Sequence, residues 1–266
     1  VRRFSESYLR RTRAGMWDDS HAALADLDLG GRARILDVGC GTGEFTRVLA
    51  EASEARVVGV DADTDLLSVA SDRDSDIEAV AGDATRLPFA ADSFDLVVCQ
   101  ALLVNLPDPT AALAEFARVS SDLVATVEPD NAAVGVDSTV EAEAALDRRV
   151  RDAFRDGVAT DVALGNRVRG LFDDAGLSVV GTRRYHHRKL TEPPYDEHDV
   201  RSAAKKATGE GLDRHEADLR RGLDGDSYES VRRKWREMGR EVVQQIRDEE
   251  YRRAEVVPFD VTTGRV

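Results

Sequence analysis

A chain of 266 residues, 42% hydrophobic and 33% charged, is long enough for one large α/β domain or for a domain carrying an insertion. No apolar run reaches eighteen residues, so the sequence predicts no membrane span. With 51 acids against 37 bases, the net charge of −14 argues against a nucleic-acid partner.

From the N-terminus, residues 4–29 carry Phe4, Tyr8, Leu9, Met16, Trp17, Leu24 and Leu27 at helical spacing. They predict one or two helices, a cap over 1–29 that ends at Gly30-Gly31. The basic start lacks an apolar signal core, which points to a cytoplasmic location. Strands and helices then alternate. Strands are expected at 34–38, 56–60, 77–82, 94–100 and 122–128, and helices at 44–53, 63–72 and 108–119. Pro109 suits the first turn of the last of these helices. Such alternation predicts an α/β fold, a doubly wound, mostly parallel sheet with ligand sites at the carboxyl ends of its strands. Beyond residue 130 the sequence predicts helices at 138–156 and 166–176, a long strand at 177–190 and a strongly helical stretch over 197–252. Within that stretch Tyr228, Val231, Trp235, Met238, Val242 and Ile246 make one apolar stripe. A final β segment covers 255–266. The expected organisation is a core over 30–190 plus 255–266, with 191–254 as a helical insertion whose apolar stripe packs onto the sheet or a partner subunit, or serves as a lid.

The stretch ILDVGCGTGEF (35–45) places Gly39, Gly41 and Gly43 at alternate positions after a strand. Glycine weakens strand and helix alike, so bare backbone there must serve close approach to a ligand. A P-loop needs Lys-Ser/Thr after its last glycine, whereas Glu44-Phe45 follows here. A dinucleotide fingerprint needs glycine at 44, and a glutamate at that helix start repels pyrophosphate. The loop therefore suits a ligand without phosphates. Asp61 lies 22 residues after Gly39 and Asp83 a further 22 on, each ending a strand. The first suits a ribose diol and the second an exocyclic adenine amine. Gly59 fits tight packing beneath the loop.

The stretches ILDVGCGTGEFTRVLAE, VVGVDADTDLLSVA, VAGDATRLPFAADSFDLVVCQ and EFARVSSDLVATVEPD come in the order of the motifs of class I S-adenosylmethionine-dependent methyltransferases. Over about residues 30–130 the chain resembles that family, in particular its ubiquinone/menaquinone-biosynthesis-like small-molecule type. The resemblance implies a Rossmann-like seven-stranded sheet with an antiparallel last strand. It implies S-adenosylmethionine as cofactor, with Asp37, Gly39, Gly41 and Gly43 around its methionine part, Asp61 at the ribose, and Asp83 with Ala84 at the adenine. Cys40 and Ala62, in the same two turns, join this binding set, and Gln100 stands where relatives line the cleft near the methyl group. The chain departs from the family at Asn105, where many relatives have histidine, and lacks the Pro-Gly-Gly turn before the fifth strand.

Asp37 has a second reading, as a structural tie of the loop through backbone N–H groups. Cys40 and Cys99 fit no zinc or disulfide spacing, and no metal site is expected. Methyl transfer from a sulfonium needs mainly proximity and orientation, worth roughly 7–11 kcal/mol. If the acceptor must lose a proton, Glu128, at the end of the fifth strand, is the preferred acid or base. His186 is the second candidate. His186 and His187 face opposite ways on a strand, and an exposed strand edge is the plainer reading of both. Asn105 either orients a substrate carbonyl or caps its own turn. A small-molecule acceptor is the leading expectation. Its rivals are an RNA or protein methyltransferase and a non-catalytic cofactor-binding protein.

Of the 37 basic residues only Lys189, Lys205, Lys206 and Lys234 are lysines, leaving 33 arginines. A lysine-poor acidic surface suits a high-salt cytoplasm, where counter-ions screen its self-repulsion. The melting temperature is expected to rise steeply with KCl; a flat response from low to molar salt refutes this reading.

Overall fold

The structure, a computed structural model, describes residues 16–17, 21–73, 77–223 and 227–266. Phe4, Tyr8 and Leu9 of the expected N-terminal helices lie outside the described residues. His21–Leu27 is a 3₁₀ helix, as is Leu29–Gly31. The strands are β1 Arg34–Val38, β2 Arg56–Asp61, β3 Glu78–Ala81, β4 Phe94–Gln100, β5 Ser120–Pro129, β6 Gly135–Ser138, β7 Ser178–Thr191 and β8 Arg253–Arg265. The helices are α1 Glu44–Glu51, α2 Thr64–Arg73, α3 Pro109–Val119, α4 Glu141–Gly157, α5 Val168–Asp174, α6 Glu197–Thr208, α7 Glu210–Asp213, α8 Glu216–Gly222 and α9 Tyr228–Arg247. Among the described residues no helix is long and apolar enough to cross a membrane.

Contacts divide the chain into two units. The first holds Val1–Pro129, Leu164–Tyr185 and Phe259–Val266; the second holds Asp130–Ala163 and His186–Pro258. The sequence assigned 130–163 to the core and began the insertion at 191; by contacts 130–163 groups with 186–258. The reason is α4, whose Ala153, Leu146 and Val150 join the apolar cluster of α6, α8 and α9.

In the first unit β3, β2, β1, β4 and β5 lie side by side in that order, all parallel. The end of β8 then runs antiparallel to β5, pairing Leu123 with Arg265 through to Pro129 with Phe259. β7 also pairs β8. Its Thr182 and Arg184 side chains meet Thr262 and Asp260, an antiparallel sense. This is the expected Rossmann-like α/β order with an antiparallel last strand; within the second unit the short β6 pairs antiparallel with the start of β8, Gly135 with Val256 through to Ser138 with Arg253. β1 and β4 are buried on both faces, as continuous apolar runs require. Leu36, Val38, Val58, Val60, Val97 and Val124 pack with Phe116 of α3 and Phe172 of α5 in one cluster. Each such side chain contributes about 1.5–3 kcal/mol by burial. Asp108 caps α3 by accepting from the Ala111 amide at 3.0 Å, with Pro109 as the first helical residue.

In the second unit the α9 stripe is core. Tyr228, Val231, Trp235, Met238 and Val242 are buried, and Ile246 packs against their cluster. The helical stretch expected over 197–252 is divided among α6, α7, α8 and α9, with Gly209 in a left-handed conformation (φ 83°) between α6 and α7. The buried Glu143 accepts from Ser138 Oγ at 2.6 Å and Tyr251 Oη at 2.8 Å and pairs with Lys206, linking β6, α4 and α6. Helices α4 and α8 touch backbone to backbone. A Cβ on Gly157 would lie 1.9 Å from the Asp218 carbonyl oxygen, and one on Gly222 1.9 Å from that of Ala153. Gly222→Ala must push the helices apart and is expected to cost about 1–3 kcal/mol or more. Denaturant unfolding read by Trp235 fluorescence in a Trp17→Phe background tests this; an unchanged midpoint refutes it.

Candidate functional site

The candidate site lies at the carboxyl ends of β1, β2 and β4 in the first unit. Register aligns Val38 with Val60 on one side and with Cys99 on the other, so these strands end level. The chain leaves β1 through Gly39 (φ 75°), Gly41 (φ 56°) and Gly43 (φ 79°), all left-handed, which explains glycine at each position. Gly39 and Cys40 donate their amides to the Val60 carbonyl at 2.7 and 3.1 Å, carrying the loop across β2. Gly59 lies beneath, where a Cβ would come within 2.9 Å of Cys40 Sγ; the expected tight packing is present.

Asp61 ends β2 and holds two turns at once. Its Oδ2 accepts from the Gly41 amide at 2.8 Å and its Oδ1 from the Asp63 amide at 2.9 Å. The first of these bonds was not legible from spacing alone. Asp61 is half-buried and the neighbouring Ala62 is exposed. Asp37 is buried at the end of β1, where its Oδ2 accepts from Thr46 Oγ1 of α1 at 2.7 Å. That contact supports the structural reading of Asp37, with a side-chain hydroxyl as donor. Asp83 is exposed, and its Oδ1 accepts from both the amide and the hydroxyl of Thr85 at 2.8 Å. The Thr85 donors hold its carboxyl below the usual range. Ala84 packs against the main core cluster.

Gln100 is buried at the end of β4 and donates from Nε2 to Met16 Sδ at 3.1 Å. Beside Met16, Trp17 stacks on Phe45 of α1 with centroids 5.1 Å apart and meets Tyr185 at 5.5 Å. Tyr185 in turn stacks on Phe259 at 5.4 Å. Sequence spacing did not bring Tyr185 and Phe259 to Trp17, because that row joins residues distant in the chain; Arg183, two residues before Tyr185 on β7, pairs with Asp26. Asn105 donates from Nδ2 to the Ala101 carbonyl at 2.8 Å, the turn-capping alternative.

The two acid–base candidates stand in different settings. Glu128 is fully buried, and its Oε1 accepts from the amides of Leu102 (3.0 Å) and Leu103 (2.8 Å) and from Cys99 Sγ (3.7 Å). Its Oε2 takes the Val104 amide at 3.3 Å. His186 is exposed, whereas His187 is buried. Alternation fixed that the two differ, not which one turns inward. Among the described residues no three His, Cys, Asp or Glu side chains stand together as metal ligands.

Burial pushes the Glu128 carboxyl up to about 7, against the amide and thiol hydrogen bonds that lower it. The native state therefore holds a proton there more tightly than the unfolded chain, whose value is near 4.5. The carboxyl's contribution to stability is then expected to fall as pH rises from about 4.5 to 7, by roughly 3 kcal/mol, and to level off above. Carbon-13 NMR of the Glu128 carboxyl checks this; a midpoint near 4.5 overturns it.

Residues 36–122 match the family described as Methyltransferase domain. The chain is 45% identical over 87 residues to a demethylmenaquinone methyltransferase of Renibacterium salmoninarum, covering 33% of this chain and 36% of that protein. It is 38% identical over 108 residues to the demethylmenaquinone methyltransferase of Bacillus licheniformis, covering 39% and 46%. The chain thus spans less than half the length of these curated relatives. In structure it is similar to a Bacillus halodurans protein assigned as a methyltransferase, with a TM-score of 0.56 at 16% identity over 93% of this chain and 98% of that one. It is also similar to the protein assigned as a methyltransferase in complex with the Haloferax volcanii Trm112 activator, with a TM-score of 0.53 at 18% identity over 98% and 94%. Residues 36–122 thus match a methyltransferase domain, and the chain is similar over part of its length to demethylmenaquinone methyltransferases.

Proposed function

We propose that the first unit binds S-adenosylmethionine at the ends of β1, β2 and β3, and that the protein methylates a small-molecule acceptor of the quinone-precursor class. The observation that carries this reading is the Asp61 carboxylate bonded to the Gly41 amide, within the segment that matches a methyltransferase domain. The residues fit the cofactor in three respects. The left-handed glycines leave backbone uncovered for its amino-acid tail. A carboxylate has about four acceptor positions, and Asp61 uses two on its own backbone, leaving capacity for a ribose diol. Glu44, in the first turn of α1, disfavours a phosphate ligand and leaves one without phosphates unopposed.

When bound, the cofactor supplies an activated methyl group on a sulfonium. The part of this chain is to hold and orient. Asp37, Gly39, Cys40, Gly41 and Gly43 frame the tail, Asp61 with Ala62 takes the ribose side, and Asp83 with Ala84 the adenine side. Gln100 and the Met16–Trp17 pair border the end of β4, where the acceptor is presented and water excluded. The aromatic row of Trp17, Tyr185 and Phe259 suits a flat acceptor ring.

Asp61→Ala removes a charged hydrogen-bond acceptor worth about 1.5–3 kcal/mol. It is expected to weaken S-adenosylhomocysteine binding roughly 10- to 100-fold. Calorimetry in molar KCl tests this, and equal affinity in the variant overturns the reading. Incubation with methyl-labelled cofactor and a cell extract tests the acceptor. Label in the organic phase supports a small molecule; label in macromolecules, or none, refutes it.

A further inference from the structure

We infer that Glu128 is a positioning residue: through the turn at 102–104 it seats Leu102 against Gly39 and so holds the glycine loop in its ligand-accepting form. The inference rests on the cofactor reading above and deepens it.

The chain of contacts is continuous within the first unit. Glu128 ends β5, and β5 lies beside β4 with Gln100 opposite Val127. The chain leaves β4 through Ala101, left-handed at φ 50°, whose amide donates to the Val127 carbonyl at 2.9 Å. The next three amides, of residues 102, 103 and 104, all point into the Glu128 carboxylate. Amides at the start of a helical turn have no partner within the turn, and a buried one without an acceptor costs about 1–3 kcal/mol. Asn105 closes the turn, donating its amide to the Leu102 carbonyl at 2.9 Å and its side chain to Ala101.

With the turn fixed, Leu102 lies on the glycine loop. The three atoms nearest to a Cβ built on Gly39 all belong to Leu102, the closest at 2.9 Å. Gly39 leads through Cys40 to Gly41, the residue that Asp61 holds. A shift of Leu102 is thereby a shift of the loop.

The surroundings oppose a proton-transfer role. Glu128 has no exposed surface. Cys99 donates to it, and Asp260 stands opposite on β8. Arg184 pairs with Asp260 through two bonds, at 2.7 and 2.8 Å. Three backbone amides and the thiol donate to the carboxyl group, which ties it to its own chain rather than to a ligand.

The test uses the full chain, with Glu128→Gln and Leu102→Ala. Glu128→Gln puts an amide donor where acceptors are needed. Hydrogen exchange of amides 102–104 in the cofactor-free protein is expected to quicken at least tenfold, and S-adenosylhomocysteine affinity to fall about tenfold. Leu102→Ala leaves the carboxylate and the turn intact but unloads Gly39. It is expected to weaken binding about as much without quickening exchange at 103–104, and it carries the test if Glu128→Gln does not fold. Unchanged exchange in Glu128→Gln, or unchanged affinity in either folded variant, overturns the inference. So does a loss of turnover above 100-fold with affinity intact, the signature of a base. Failure of the wild-type protein to bind S-adenosylhomocysteine instead overturns the cofactor reading.

Discussion

Everything at the candidate site depends on one carboxylate that grips backbone. Asp61 accepts from the Gly41 and Asp63 amides and so fixes two turns that leave adjacent strands. A glycine-rich loop has the largest conformational entropy to lose, and three left-handed residues within five positions have no intrinsic preference for one shape. Two bonds from a strand-end acid, with the Val60 carbonyl holding Gly39 and Cys40, supply that shape from outside the loop. The same acid that a ribose is suited to meet thus already builds the cradle beside it.

The layout extends this economy. Polar groups at the strand ends are engaged by the chain itself before any ligand arrives: Asp37 by the Thr46 hydroxyl, Asp83 by the Thr85 amide and Glu128 by the amides of the 102–104 turn. Preformed geometry lowers the ordering cost of binding. It also separates two kinds of residue that look alike in sequence. An acid at a strand end can face a ligand or face its own chain, and Glu128, fully buried, faces its own chain.

Much of the fold was legible. The predicted bounds of β1 and β4 match the structure at both ends, because each is an apolar run buried on both faces and closed by a turn. The spacing from Gly39 to Asp61 to Asp83 located three strand ends, since each βα unit of a parallel sheet has a similar length. Less was legible where identity depends on side-chain direction or on distant partners. β6 has only four residues, half of them exposed, and its β character comes from its ladder with β8. Alternation separated His186 from His187 without saying which faces in. The three amides on Glu128 come from residues 24–26 positions earlier, a link that no local pattern encodes.

The two thiols have a consequence of their own. Cys40 and Cys99 are both buried, and burial with the nearby Glu128 and Asp37 charges raises Cys99 well above its ordinary value. Neither sulfur meets solvent while the sheet is closed, so alkylating reagents find no target in the native protein. Both belong to the first unit, and the chain has no other cysteine. The speed of alkylation is thus a clock for the opening of that unit alone, built into the native sequence without any label.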